Sequence, residues 1–339
     1  MNLLELDLAE LQSELKKLGE PAFRAKQIRK WLSEGALFEG MTNLPASLRD
    51  KLKENYTEGY AVIEKVLTSG DCTKKYLLSM PDKNTVESVF MVNNYGNSVC
   101  LSTQVGCRMG CVFCQSCKNG LIRDLTAGEI LSEYIAMNRD AGEGRNISNI
   151  VLMGMGEPMD NYGNVVKFLE LVHDKDTYGV SYRNISLSTC GIVPGIYRLA
   201  ESGMPVTLCI SLHSPFDEKR ASILPAAKRW SVPEIMEAAK TYFEKTGRRI
   251  IIEYALMDGF NNTREDADRL REITQGMSCH INLIPLNEGS GCAYRAPAKK
   301  NVYAFCALLE KEGLSATVRR SLGADISGAC GQLKNSTIG

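Results

Sequence analysis

From about residue 97 onward the sequence alternates short apolar runs of β-type with amphipathic helical stretches, and this alternation constrains the fold more than any other feature. The strand candidates are Val99–Ser102, Ile150–Met153, Ile185–Ser188, Val206–Ser211, Ile250–Leu256 and Ile281–Pro285. Helical stretches lie between them near 127–139, 163–174, 193–202, 232–245 and 264–275. A last helix near 300–312 precedes a strand at Ala316–Arg319. Strands separated by helices pair in parallel through right-handed crossovers. Six such units predict an α/β fold, a partial barrel rather than a closed eight-unit one, with ligands at the C-terminal strand ends.

The first 96 residues read differently. Over 1–55, Leu8, Leu11, Leu15 and Leu18 recur at helical spacing, Phe23–Trp31 forms a second helix, and Asn43-Leu44-Pro45 opens a third carrying Leu48 and Leu52. Over 56–96, Tyr60–Ile63, Lys75–Leu78 and Val86–Val92 read as short strands of a small antiparallel sheet. The expected organisation is therefore a helical accessory domain (1–55), a β-rich linker (56–96) and the partial barrel with a C-terminal segment (97–339).

Forty basic residues balance forty acidic ones, which argues against gripping nucleic acid by bulk charge alone. The start of the chain lacks the pattern of a secretory signal, and no apolar run reaches the ~18 residues needed to cross a bilayer. A soluble cytoplasmic protein with no membrane partner is expected. Twelve cysteines are many for such a chain. Four of them crowd into Cys107–Cys117, which points to metal or redox chemistry rather than an oxidised framework. Cys72, Cys209, Cys279 and Cys306 sit among apolar residues and read as buried small hydrophobes.

The central segment is Gly106-Cys107-Arg108-Met109-Gly110-Cys111-Val112-Phe113-Cys114, with spacing C-x3-C-x2-C. Three thiolates on one loop can hold three irons of a [4Fe–4S] cube and leave the fourth open. A zinc knuckle and a ferredoxin-type site are the alternatives. Cys117 adds a further x2-C step and, with Cys111 and Cys114, makes a ferredoxin-like run. It reads as a neighbour rather than a ligand.

The spacing, with an aromatic residue before the third cysteine, resembles the radical-SAM superfamily. That resemblance implies a radical-SAM barrel in which S-adenosylmethionine (SAM) chelates the open iron and is cleaved reductively to a 5′-deoxyadenosyl radical. Met153-Gly154-Met155-Gly156-Glu157-Pro158 resembles the superfamily's glycine-rich SAM segment, which puts Gly156 and Glu157 at the methionine end. Ser188 after the third strand, Ser211-Leu212-His213 after the fourth and Asn287 after the sixth place small polar groups at successive strand ends. Singly, each is ordinary loop chemistry. Together they read as a cofactor pocket.

A narrower resemblance rests on Cys100–Cys107, Ile252-Glu253-Tyr254, Asn282–Pro285 and Asp325–Leu333, above all on Ala329-Cys330-Gly331-Gln332-Leu333. These are similar to the adenine-C2 RNA methyltransferase family (RlmN), and the similarity runs from the Phe23–Trp31 helix to the C-terminus. The resemblance implies methylation of C2 of an adenosine in 23S rRNA, and in tRNA, through an S-methylcysteine at Cys330. The alternatives are C8 methylation, as in the related Cfr class, and another substrate altogether. Adenine C2 is electrophilic and cannot take a methyl group by simple displacement, so the family first methylates a protein cysteine. By the same resemblance Cys100 resolves the protein–RNA adduct through a disulfide with Cys330. Glu87 matches a carboxylate assigned as proton acceptor, a role for which Cys100 also competes. The implied partners are RNA and an external electron donor such as flavodoxin or ferredoxin, with the enzyme a monomer. Read from the residues alone, Cys100 is more readily a core residue, Cys330 a structural thiol and Glu87 part of a solvated strand face.

Lys16, Lys17, Arg24, Lys26, Arg29 and Lys30 stand against one acid, Glu20, between residues 16 and 30; a solvated helix face is the default reading of such a run, and in an enzyme that must hold RNA these residues can contact phosphates. Lys228-Arg229 and Arg319-Arg320 are expected to extend that surface. The chain departs from the family pattern at Gln115-Ser116-Cys117 and at Cys190, where a serine is usual.

Overall fold

A computed structural model of the protein describes residues 1–93, 96–142, 147–287 and 293–334. Three helices open the chain: α1 (Leu8–Lys17), α2 (Arg24–Ser33) and α3 (Ala46–Asn55). α1 begins at a reciprocal cap, in which Asp7 accepts from the Glu10 N–H and Glu10 accepts from the Asp7 N–H, each at 2.8 Å. Strands β1 (Val62–Thr68), β2 (Lys74–Ser79) and β3 (Thr85–Met91) then form an antiparallel meander.

β3 pairs antiparallel with β4 (Asn97–Cys100), so the meander extends the main sheet instead of standing apart from it. A two-stranded hairpin, β5 (Gln104–Gly106) with β6 (Leu121–Asp124), comes next. It escaped the sequence reading because three- and four-residue strands carry almost no alternation. After it run α4 (Ala127–Ala141), β7 (Ile147–Leu152), α5 (Tyr162–His173), β8 (Ile185–Thr189), α6 (Val193–Ser202), β9 (Thr207–Ser211), α7 (Asp217–Ile223), α8 (Val232–Thr246), β10 (Ile250–Leu256), α9 (Arg264–Ile273), β11 (Cys279–Pro285), α10 (Lys299–Lys311) and β12 (Ala316–Val318). The ten strands of the sheet lie in the order β1-β2-β3-β4-β7-β8-β9-β10-β11-β12, with every pair from β4 to β12 parallel. This is the predicted partial barrel, open at its edges. α7 was missed: its seven residues are too few to show a helical period.

The N-terminal helices are packed onto the barrel. Arg29 lies buried against Asp174, beyond α5, Arg139 of α4 donates to the Gly35 carbonyl at 2.9 Å, and the Leu3 N–H donates to the Thr57 carbonyl at 3.0 Å. Arg29 is thus spent inside the protein and is withdrawn from the expected phosphate-binding set. Lys17 and Lys26 pair with Glu14 and Asp176 at the surface, and Lys16 and Lys30 are exposed. Of the cysteines expected in the core, Cys209 and Cys306 are buried and Cys279 partly so, whereas Cys72 is exposed at a left-handed turn (φ 66°). No helix among the described residues is long and apolar enough to cross a membrane.

Candidate active site

The parallel strands end on one side of the sheet, and the predicted site residues gather there. The cluster loop hangs between β5 and β6. The Cys107 N–H donates to the Gly120 carbonyl at 3.0 Å, closing the loop at its base. Gly106 sits there at φ 79°, where a side chain would meet the Gly120 oxygen. The Val112 N–H donates to Ile223 at the end of α7 at 3.0 Å, and the Phe113 ring stands edge-on to His213 with centroids 4.9 Å apart. Met109, Ile223, Leu224 and Met257 give the cysteines an apolar surround.

Cys107, Cys111, Cys114 and Cys117 border one cavity of about 160 Å³. The Cys117 sulfur lies in hydrogen-bond contact with the other three, which pushes the Cys117 thiol down and the thiols of Cys107, Cys111 and Cys114 up. Several thiols confined together cannot all ionise without a multiply cationic partner, and a soft iron–sulfur core meets that demand. The donor set therefore fits a [4Fe–4S] group.

The same cavity is walled by Gly156, Glu157, Ser188, Ser211, His213 and Asn287. Gly154 and Gly156 let this turn lie against the chain at Leu101 and Gln104, where a Cβ would come within 2.6 Å and 2.7 Å of its neighbours. Buried Glu157 accepts from the Met159 and Cys190 N–H groups at 3.0 and 2.7 Å, and burial pushes its carboxyl up. The Ser188 and Ser211 hydroxyls lie 3.0 Å apart. His213 has φ 58° and takes the Ala255 N–H on Nδ1 at 3.0 Å. Burial, with Arg220 close by, lowers its pKa to about 3, so the ring is neutral and carries its proton on Nε2. Leu212 is fully buried and is not among the cavity-lining residues.

A second cavity of about 530 Å³ adjoins the first. Met153, Gly154, Ile284, Asn287, Arg319 and Cys330 line both. Cys100, the last residue of β4, borders the second one. The two cysteines are free thiols, Cys330 exposed and Cys100 buried. Burial, and then the nearby Cys330, push the Cys100 thiol up to about 12. The Cys330 carbonyl accepts from Asn287 Nδ2 at 2.9 Å. Glu87 is buried on β3 but lines neither cavity; its carboxylate meets Lys75 Nζ at 3.1 Å and the Lys334 N–H at 2.9 Å.

Three residues of the site were missed or misread. Arg319, expected on the RNA-facing surface, turns inward and reaches Glu253 at 3.4 Å. Cys330, then Glu253 and Cys100, act on its guanidinium and push its pKa further up. Glu253 is buried and lines the first cavity. Arg220, on the missed α7, is wholly buried and donates to the Leu212, Cys190 and Ser211 carbonyls. An arginine that ends a strand looks like any surface arginine in sequence. Only a buried carboxylate facing it reveals its direction.

Comparison with known proteins agrees with this geometry. Residues 101–271 match the radical SAM superfamily, and this chain is a radical-SAM protein with a [4Fe–4S] cluster and SAM as its cofactors. Residues 1–57 match the ribosomal RNA large subunit methyltransferase N-terminal domain. A protein of Clostridium perfringens strain 13, "Probable dual-specificity RNA methyltransferase RlmN", is 50% identical over 99% of this chain and 97% of its own length. A Symbiobacterium thermophilum protein of the same name is 46% identical over 97% and 90%. The crystal structure of a radical SAM methyltransferase from Sphaerobacter thermophilus superposes with a TM-score of 0.96 at 39% identity, covering 99% of this chain and 100% of that one. The chain belongs to the RlmN family of radical-SAM methyltransferases.

Proposed function

We propose that this enzyme methylates C2 of an adenosine in RNA, with 23S rRNA and tRNA as substrates, and that Cys330 carries the methyl group. The observation that supports this most is that Cys330 and Cys100, far apart in sequence, line one cavity that adjoins the cofactor cavity. When bound, the cluster and SAM supply a hydrogen-abstracting radical and a methyl donor. Cys330, exposed at the junction of the cavities, takes the methyl group on sulfur. Cys100 stays protonated at neutral pH and does not compete for it. Arg319 lines both cavities together with Cys330 and sets a positive charge beside the reacting sulfurs.

Once the methylene carbon is joined to adenine C2 and the adduct has passed its unpaired electron to the electron-transfer partner, Cys100 attacks the Cys330 sulfur. A sulfur–sulfur bond forms, the sulfur–carbon bond breaks, and the proton that leaves the Cys100 thiol ends on the carbon, which becomes the methyl group. Glu87 serves as acceptor of the C2 proton. Its carboxylate becomes available to the base when the Lys334 N–H contact opens. Exposed Lys16, Lys30 and Phe23, the last with Arg24 stacked on its ring, present a face for RNA backbone and bases. The enzyme works as a cytoplasmic monomer and draws electrons from a flavodoxin or ferredoxin.

The test is adduct trapping. Cys100→Ala should accumulate a covalent protein–RNA species that ribonuclease removes and that the Cys100/Cys330 double variant lacks. Full turnover by Cys100→Ala would refute the resolving role. Nucleoside mass spectrometry against 2-methyl- and 8-methyladenosine standards decides the carbon.

A further inference from the structure

The cysteine loop has two faces. Cys107, Met109, Cys111 and Phe113 line the cofactor cavity, whereas the alternating residues Arg108, Gly110 and Val112 are exposed. We propose that this outer face is where an acidic one-electron carrier protein docks, with Lys228 and Arg229 as its basic flank. The inference rests on the reading of Cys107, Cys111 and Cys114 as ligands of a reducible cluster.

Three observations carry it. The first is the length of the path. Val112 directly follows Cys111, stands two residues before Cys114 and is 38% exposed. A carrier seated on Val112 is one residue along the chain from a ligand of the group it must reduce.

The second is charge. The loop from Cys107 to Arg123 has three basic side chains and no acid, and the turn Pro225–Arg229 adds Lys228 and Arg229. That turn is packed on the loop: a Cβ on Gly110 would lie 3.4 Å from the Pro225 ring, and Ala226 and Ala227 pack against the apolar surround of the cysteines. Arg108 is shared with Asp160, and Arg123 with Asp82 and Glu129. Lys118, Lys228 and Arg229 stay exposed, with no ion pair among the described residues. In a chain with no net charge, a local excess of cations selects an acidic partner and steers its approach. Redox encounters are weak and need only a small interface.

The third is the place of the RNA site. The third-cysteine end of the loop is taken by the Cys330 segment, through the Gln115 N–H to the Gly331 carbonyl at 2.8 Å and Ser116 to the Leu333 carbonyl at 2.7 Å. A base brought to Cys100 and Cys330 enters a cavity that Arg108, Val112, Lys118, Lys228 and Arg229 do not border. Lys228 and Arg229, expected to extend the RNA-binding surface, are thereby assigned to another partner. The step itself is a single transfer: one electron leaves the reduced carrier and one enters the oxidised cluster, and no bond forms or breaks.

The experiment uses the full-length, anaerobically reconstituted protein and its Lys228→Glu/Arg229→Glu variant, with reduced flavodoxin and reduced ferredoxin as probes. Cluster reduction is followed by stopped-flow absorbance with each carrier and, separately, with dithionite. Binding of the oxidised carriers and of RNA is titrated alongside. The reversals should slow reduction by the carrier about tenfold at low salt, weaken its binding by a similar factor and flatten the salt dependence of both. Reduction by dithionite and RNA affinity should stay at their wild-type values. Carrier binding and reduction equal to the wild type would overturn the inference, and a loss of RNA affinity with no effect on the carriers would give the face to RNA instead. A wild type that dithionite reduces but neither carrier does overturns it as well. A wild type that holds no cluster for dithionite to reduce overturns the cluster reading, and the inference with it. If the double variant does not load a cluster, Lys118→Glu takes its place under the same criteria.

Discussion

The Gln115 N–H, just after the third cluster cysteine, donates to the Gly331 carbonyl, just after Cys330, at 2.8 Å. Ser116 repeats the link to Leu333 at 2.7 Å. The cysteine loop and the segment that carries Cys330 are thus joined by one backbone and one side-chain hydrogen bond. Asp325 ties the same segment to Ser69 at 2.5 Å, and the Gly323 N–H donates to Asp71 at 3.0 Å.

Ser116→Ala should loosen this seam without touching a thiol. It leaves the Leu333 carbonyl without its buried donor, at a cost of about 1–2 kcal/mol. Hydrogen exchange over 329–334 should accelerate and methylation fall, while the iron content stays at the wild-type value. Unchanged exchange in that segment would count against the seam.

The Cys100 and Cys330 thiols should react differently with iodoacetamide. Cys100, raised to about 12 by burial and then by Cys330, is a protonated thiol at pH 7–8. Mass spectrometry of native protein at pH 8 should therefore find Cys330 alkylated and Cys100 spared. Labelling of Cys100 should climb as pH rises toward 10, because a raised pKa delays the thiolate to higher pH.

Buried Glu133 on α4 should make stability fall with alkaline pH. Burial, opposed by hydrogen bonds from Ser88 and the Ser102 N–H, lifts its pKa to about 8. The folded state then keeps a proton that the unfolded state releases from the ordinary glutamate value of 4.5 upward. Stability is full below that pH and is lost as pH rises through about 8, by up to about 5 kcal/mol. Glu133→Gln should flatten the dependence of the denaturation midpoint on pH between 5 and 8.

Arg29 and Lys30 are adjacent but should fail in different assays. Arg29→Ala strips the partner from Asp174 inside the N-terminal packing and should cost about 2–3 kcal/mol in denaturant titrations. Reversing charge at Lys26 and Lys30 should leave stability within about 0.5 kcal/mol. It should instead weaken RNA affinity and reduce the slope of log affinity against log salt. RNA binding indifferent to the lysine reversals would return α2 to the role of a solvated helix.

What the sequence determined by itself is local and periodic. β10 was legible to its last residue because a run buried on both faces reads as Ile250–Leu256 with nothing polar to break it except Glu253. α6 was legible as Val193–Ser202 because Pro194 sits at its start and Gly203 takes the left-handed position at its end. The C-x3-C-x2-C spacing stated the cofactor chemistry because three ligands on one loop need no tertiary folding to be neighbours. Residues on different strands are another matter. That Cys330 lands beside Cys100, that Arg319 turns in toward Glu253, and that Arg220 props the strand ends from a helix of seven residues depend on how the crossovers order the strands. Glu87 shows the same limit. Its residue type and position matched a proton acceptor, yet pairing of β2 with β3 sets Lys75 against it, and the returning chain adds the Lys334 N–H. A side chain's type is written in the sequence, but its electrostatic surroundings are contributed by segments that only the closed sheet brings within a few ångströms.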